Sequence, residues 1–345
     1  MPPSLPPTVA RGVTLQISLA PSDFPHARHI LPHQLRQWAD QVQEILLVVD
    51  LHRSPNSRFA VAWEERRPLL DRLVADCAAR YPHARVVEVD YGEGAARGVA
   101  DRWFRGQRVP VKDLRGGPFY SYFFALDAAR HDLVLHADSD ILFGGGAPRW
   151  TDDALALMDA DEHVLTTSPF PGPPTADGTL HNQPAARYPG PSLAYRFGHV
   201  STRVFALSRS RFAARVGGLR ASRPGPRGLV RAVLQHQPLY DMPENILSRA
   251  MRDRDLVRVD LLGASPGMWT LHPPHRSALF YDQLPALIDR VERGDIPDGQ
   301  RGCYDINDSL IDWSSARAAI RARPWWQRLA KRAMGNPHVR PEEAH

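Results

Sequence analysis

Residues 136–143 read HADSDILF and place two aspartates one residue apart at the end of an apolar run. In an extended segment residues i and i+2 project to the same side, so Asp138 and Asp140 aim their carboxylates together while Ser139 points away. Two like charges this close, partly desolvated by Leu135, Ile141 and Phe143, raise each other's pKa unless a cation sits beside them. Carboxylate oxygens are hard ligands suited to Mg²⁺ or Mn²⁺, ions that keep waters and bind substrate phosphates. The pair points to a metal serving a diphosphate-bearing substrate. A second Asp-x-Asp, Asp253-Arg254-Asp255, lies between a helix and a strand, where a solvated turn accounts for it. Position separates the two pairs.

That position follows from the order of elements. Val13 to Leu19, Glu44 to Asp50, Arg85 to Asp90 and Leu133 to Ala137 read as buried strands, and 33–43, 62–80 and 118–130 read as helices. Such alternation predicts an α/β fold with a mostly parallel, Rossmann-like sheet and helices on both faces. Ligands gather at the carboxyl ends of the strands in these sheets. Three of the four expected strands finish at or beside an acid: Asp50, Asp90, and the pair Asp138 and Asp140. Lys112 and Arg115, before the third helix, could serve phosphates or be solvated loop charges. The Gly116-Gly117-Pro118 stretch leaves a helix N-terminus open to an anion.

The segment HDLVLHADSDILF, with GGPFYSYFFALDAAR before it and three strand-ending segments upstream, resembles the nucleotide-sugar half of the GT-A glycosyltransferases, particularly the family 2 type. The resemblance covers Val13 to Phe143 in order of elements and runs more loosely to about residue 276. It implies a single large domain that takes a sugar from a nucleoside diphosphate donor, with Asp138 near the ribose or the metal, Asp140 on the metal, and Asp90 and Asp50 facing the base. Members often carry Ala-Arg-Asn in the helix before the motif. Here Ser121, Tyr122 and Phe123 stand at those positions, so the contacts of that Arg and Asn must come from elsewhere.

The second half is expected to supply the acceptor side. YDMPENILSRAM, 240–251, resembles the place where the family carries an acidic pair at a helix start; Glu244 matches the first acid and Asn245 occupies the second position. An inverting transfer needs a carboxylate to take the acceptor's proton, and Glu244 and Asp241 are the candidates. The same residues have the spacing of a capping box, a role compatible with catalysis. In WTLHPPHR, 269–276, the resemblance implies a metal-ligating histidine, His272 first and His275 second. His26, His29 and His33 have partial helical spacing, but Pro32 interrupts them and no carboxylate motif accompanies them. Gly144-Gly145-Gly146 lacks the following Gly-Lys-Ser/Thr of a phosphate loop and reads as a flexible connection. Asp305, Asp308 and Asp312 either cap the final helix or reach the acceptor pocket.

Further elements are a short strand at Arg203 to Ser208, a helix over 243–252, a strand at Leu256 to Leu262 and a helix over 281–292. Pro- and Gly-rich loops at 169–200 and 217–228 frame the site. Residues 1–11 read as a disordered segment, 12–323 as the domain with halves at 12–150 and 151–323, and 324–345 as a basic amphipathic tail that could touch an anionic membrane or pack as a helix.

Composition narrows the alternatives. The 345 residues are 43% hydrophobic and 23% charged, which suits a globular chain. The charge of +5 comes with lysine only at Lys112 and Lys331 and with arginine scattered throughout, so no basic stripe for nucleic acid emerges. Cys77 and Cys303 lack paired spacing, and no apolar run reaches membrane-span length, so a cytoplasmic protein is expected. The acceptor is a glycan, a lipid-linked molecule or a small molecule. Two other readings remain: a nucleotidyltransferase on a similar fold, disfavoured because SLAPSDFPHA follows the first strand in place of a Gly-rich phosphate loop, and a non-catalytic sugar-nucleotide or glycan binder.

Overall fold

The computed structural model describes residues 12–54, 62–190, 192–234 and 237–322. The expected N-terminal segment and the tail 324–345 lie outside them. In chain order the first half holds β1 (Val13–Leu19), α1 (Phe24–Trp38), β2 (Glu44–Val49), α2 (Trp63–Ala79), β3 (Ala84–Glu88), α3 (Glu93–Phe104), α4 (Tyr120–Ala128), β4 (Leu133–Asp138) and β5 (Leu142–Gly144). There follow α5 (Trp150–Ala160), β6 (Val164–Pro171), β7 (Ala185–Arg187), β8 (Ala194–Phe197), β9 (Val204–Ser208), α6 (Arg209–Arg215), α7 (Pro226–Leu234) and α8 (Pro243–Arg252). The chain continues through β10 (Val257–Leu261), β11 (Trp269–Leu271), α9 (Ala278–Arg293) and α10 (Ser314–Arg321).

The strands join in one sheet ordered β3-β2-β1-β4-β9-β6-β10-β8-β7, with β11 and β5 attached beside β6. β3, β2, β1 and β4 are mutually parallel. β9 enters antiparallel between β4 and β6, β10 again runs parallel to β6, and β8 and β7 close that edge as antiparallel strands. The mostly parallel α/β reading therefore holds. Alternation builds its two faces. Leu15 and Ile17 of β1 and Ile45, Leu47 and Val49 of β2 pack with α1, α2 and α5 on one side, while Leu46 and Val48 pack with α3, α4 and α8 on the other.

Several expected elements shift. The helix expected over 33–43 is α1, over Phe24–Trp38, with Pro32 inside it. Buried Ala27, Ile30, Leu31, Gln34, Leu35 and Trp38 recur at helical spacing, and packing that face outweighs the hydrogen bond proline forfeits. α3, α5 and β6 had no expectation. β6 is buried along its whole length, so it carries no alternation to read. The loop expected over 169–200 contains the β7–β8 hairpin. The triple glycine is a tight packing point, not a flexible connection: a Cβ on Gly144 would lie 2.2 Å from the Trp269 ring, and Gly145, at φ +89°, backs onto the Gly267 carbonyl.

Candidate active site

The strand order places the site. From β1 the chain moves to β2 and β3 on one side and only later to β4 on the other, so the order reverses between β1 and β4. The loops leaving these two strands diverge there and open a crevice, the usual ligand position in such sheets. Ser18 of β1 lies opposite Asp138 of β4. The crevice is thus walled by Asp23 on one side and by Asp138 and Asp140 on the other.

The paired aspartates are held by a turn. Asp138 ends β4, and the Ile141 amide donates back to its carbonyl at 3.3 Å, so the extended spacing expected for the pair stops at Asp138. Ser139 does point away, its hydroxyl 3.1 Å from His26 Nε2. Tyr122 Oη donates to Asp138 Oδ1 at 3.0 Å, with His136 Nε2 3.3 Å from the same oxygen. Tyr122 stands at the position where the resembled family often carries an arginine, and its contact with Asp138 is neutral. Asp140 is 3% exposed; its Oδ2 accepts from the Arg276 guanidinium, whereas its Oδ1 is buried without a hydrogen-bond partner. Burial raises the Asp140 pKa, but Arg276 and His272 outweigh it and hold the carboxyl well below its ordinary range.

His272 arrives from β11, across the crevice. Its Nδ1 bonds Asp305 Oδ1 at 2.7 Å and its ring stacks on Tyr304, leaving Nε2 3.9 Å from Asp140 Oδ2. A carboxylate behind one ring nitrogen orients the other toward a ligand. His275 instead packs edge-on against Trp313. Asp305 thus reaches the site, while Asp308 and Asp312 accept from the Trp313 and Ser314 amides around the start of α10. Of the α1 histidines, His33 accepts from the Phe143 amide at 3.0 Å and bonds Glu292 at 2.7 Å.

Among the described residues no three His, Cys, Asp or Glu side chains already stand as a cation cage. The donor set nevertheless fits a divalent ion: an orphaned carboxylate oxygen on Asp140, a pre-oriented imidazole on His272, and Asp138 one residue away in the same turn.

On the acceptor side, Glu244 lies in the first turn of α8, half-buried. Burial raises its pKa; Arg203, Arg258 and Arg115 draw it down and Asp138 pushes it up, which puts the carboxyl within electrostatic reach of the paired aspartates. The expected capping box does not form. Met242 is the N-cap, and Asp241 is buried with Oδ1 accepting from the Met242 amide and Asn245 Nδ2 and Oδ2 from Arg249. So engaged, Asp241 braces the turn and Asn245 serves as its partner.

The other expected donor contacts part company. Asp50 takes hydrogen bonds from Tyr91 Oη, the His52 amide and Lys112 Nζ, each at 2.8 Å. Lys112 is therefore buried in an ion pair with Asp50, not held out to phosphates. Asp90 is exposed at the same edge, bonded to the Gly92 amide at 2.7 Å. The loop expected to greet an anion already has one, since Asp113 Oδ1 accepts from the Arg115 and Gly117 amides and α4 begins only at Tyr120. Lys112→Met would leave Asp50 buried without its cation, and a loss of about 3 kcal/mol is expected in urea unfolding. A loss under about 1 kcal/mol would mean that Tyr91 and His52 suffice.

Three residues that the sequence did not single out complete the site. Asp23, in the loop after β1, has its carboxyl pushed up to about 6 by burial, against the pull of Arg276 and of the Ala20 amide. Arg276 spans Asp140 and Asp23, 3.8 Å from the latter. Arg203, in the bend just before β9, lies within electrostatic reach of Tyr304, Asp140, Asp305 and Asp138. An acid closely following the first strand was the available signal for Asp23. The arginines gave none among so many.

No protein-family model matches the chain, and no curated protein does. Solved structures that resemble it include GalNAc-T7 with UDP, GalNAc and Mn²⁺, at 12% identity and a TM-score of 0.39, covering 77% of this chain and 44% of that one. Another is glucosyl-3-phosphoglycerate synthase from Mycobacterium tuberculosis with Mn²⁺, UDP and glucosyl-3-phosphoglycerate, at 13% identity and 0.33, covering 84% and 82%. A third is UTP-bound UGPase from Acinetobacter baumannii, at 10% identity and 0.41, covering 91% and 99%. The chain spans less than half the length of the first of these.

Proposed function

We propose that this protein is a metal-dependent glycosyltransferase acting on a nucleoside diphosphate sugar. The observation that carries the reading is the meeting, at the point where strand order reverses, of Asp138, Asp140 with its orphaned oxygen, and a carboxylate-backed His272, with the Glu244 carboxyl in electrostatic reach. Asp138, Asp140 and His272 would hold Mn²⁺ or Mg²⁺, which when bound neutralises charge on the departing diphosphate. Arg203 and Arg276 add fixed positive charge beside the same place. Glu244 takes the acceptor's hydroxyl proton as the acceptor oxygen bonds the anomeric carbon and the diphosphate leaves with the electrons of the broken bond. Burial strengthens Glu244 as a base. Attack from the face opposite the leaving group inverts the anomeric centre. Asp90 and Asp50 lie at the edge assigned to the nucleotide base, with Asp50 acting through Tyr91 and Lys112.

Incubation with a panel of nucleoside diphosphate sugars and Mn²⁺ tests this. Slow release of free sugar and nucleoside diphosphate is the expected result. Exchange of pyrophosphate into a nucleoside triphosphate would favour nucleotidyl transfer, and binding without turnover would favour a sugar-nucleotide binder.

A further inference from the structure

α7 carries an aliphatic stripe that the described residues leave uncovered. Val230, Val233 and Leu234, spaced i, i+3 and i+4 and so on one helix face, are 57%, 59% and 67% exposed, whereas Ala232 is fully buried. Leu239 and Tyr240, just beyond, are exposed as well. The charge along the segment itself is of one sign. Arg220, Arg223 and Arg227 are exposed, and from Gly217 to Tyr240 the sequence has no Asp or Glu. Arg105 lies against Gly218 at the start of the segment.

The charge selects among occupants. The tail 324–345 carries its own cations in QRLAKRAM, so laying it here would oppose like charges. A second copy meeting this face about a two-fold axis would set arginines against arginines. An anionic partner is required. Aliphatic side chains on a helix, with Arg227 on the same helix and Arg220 and Arg223 on the segment leading into it, match an element lying in the headgroup boundary of a bilayer. Protein hot spots favour tryptophan and tyrosine seated in central pockets.

We propose that α7 and the described residues flanking it, 219–234 and 237–240, seat the protein on an anionic lipid surface. The segment is fastened to the rim of the site: the Leu114 amide donates to the Tyr240 carbonyl at 2.8 Å, and the Asp241 amide to the Ser222 carbonyl at 2.9 Å. α8, with Glu244, begins immediately after it. Seating α7 in the headgroups therefore brings the acceptor side of the crevice toward the membrane. The surface itself does not depend on the transfer reading, and its test involves no turnover.

Full-length protein is sedimented with phosphatidylglycerol–phosphatidylcholine vesicles and with phosphatidylcholine alone. Binding to the anionic vesicles, weakened by salt, is expected. Val233→Asp/Leu234→Asp should abolish it, and replacing Arg220, Arg223 and Arg227 by Gln should weaken it on the order of 100-fold. These side chains are exposed, so unchanged circular dichroism and melting temperature should accompany the loss. Loss in the α7 variants supports the proposal whatever deletion of 324–345 does. Absence of binding by the parent protein, or binding that survives the α7 substitutions, overturns it.

Discussion

Glu244→Gln is expected to lower glycosyl transfer by about 10²–10⁴-fold while leaving donor binding and thermal stability near those of the parent. The amide keeps the size of the carboxyl and cannot take a proton. Glu244 accepts no cap hydrogen bond at the start of α8, and α8 is secured separately by Asp241, Asn245 and Arg249, so the helix does not need the charge. In the proposed reading donor affinity rests on the other wall of the crevice. The measurement is turnover beside donor titration calorimetry on the same preparation. A fully active variant would remove Glu244 as the base, and a variant that loses donor affinity in step with turnover would place it in binding instead.

Arg276→Gln is expected to act in the opposite sense on the ion, tightening Mn²⁺ binding about tenfold without donor, as read by electron paramagnetic resonance of free Mn²⁺. The guanidinium bonds one oxygen of Asp140 while the other has no hydrogen-bond partner, so an arriving dication meets a competitor on the carboxylate it needs. Unit charges 4 Å apart interact by about 4 kcal/mol at an effective dielectric of 20. The side chain is 30% exposed and solvent screens the repulsion, so about 1.4 kcal/mol, a factor of ten, is expected. Asp140→Asn supplies the control and should weaken the ion instead. Equal Mn²⁺ affinity in Arg276→Gln and the parent would show that the guanidinium does not stand in the ion's way.

What could be read from the sequence depended on how far apart the cooperating residues lie. β1 and α8 appear where periodicity placed them, because side-chain alternation and the 3.6-residue repeat are local signals. α3 carries Gly94 and Gly98 and buries only one end, so its repeat is weak. Lys112 was legible as a cation near the site but not as the buried partner of Asp50, 62 residues away. Asp113 was likewise unreadable as the anion that fills its own loop.

By itself the sequence determined the alternation of strands and helices, the acids at the strand ends, and the Asp-x-Asp as the candidate place for a cation. Only the tertiary structure decided which of those acids remain available. It tied Asp50 to Lys112 and Asp241 to Arg249, and set His272 on Asp305 and Arg276 on Asp140 across 136 residues of chain. The reason is physical: hydrophobic periodicity acts over one or two turns, whereas a buried charge takes the nearest counter-charge in space, and that neighbour is chosen by the strand order.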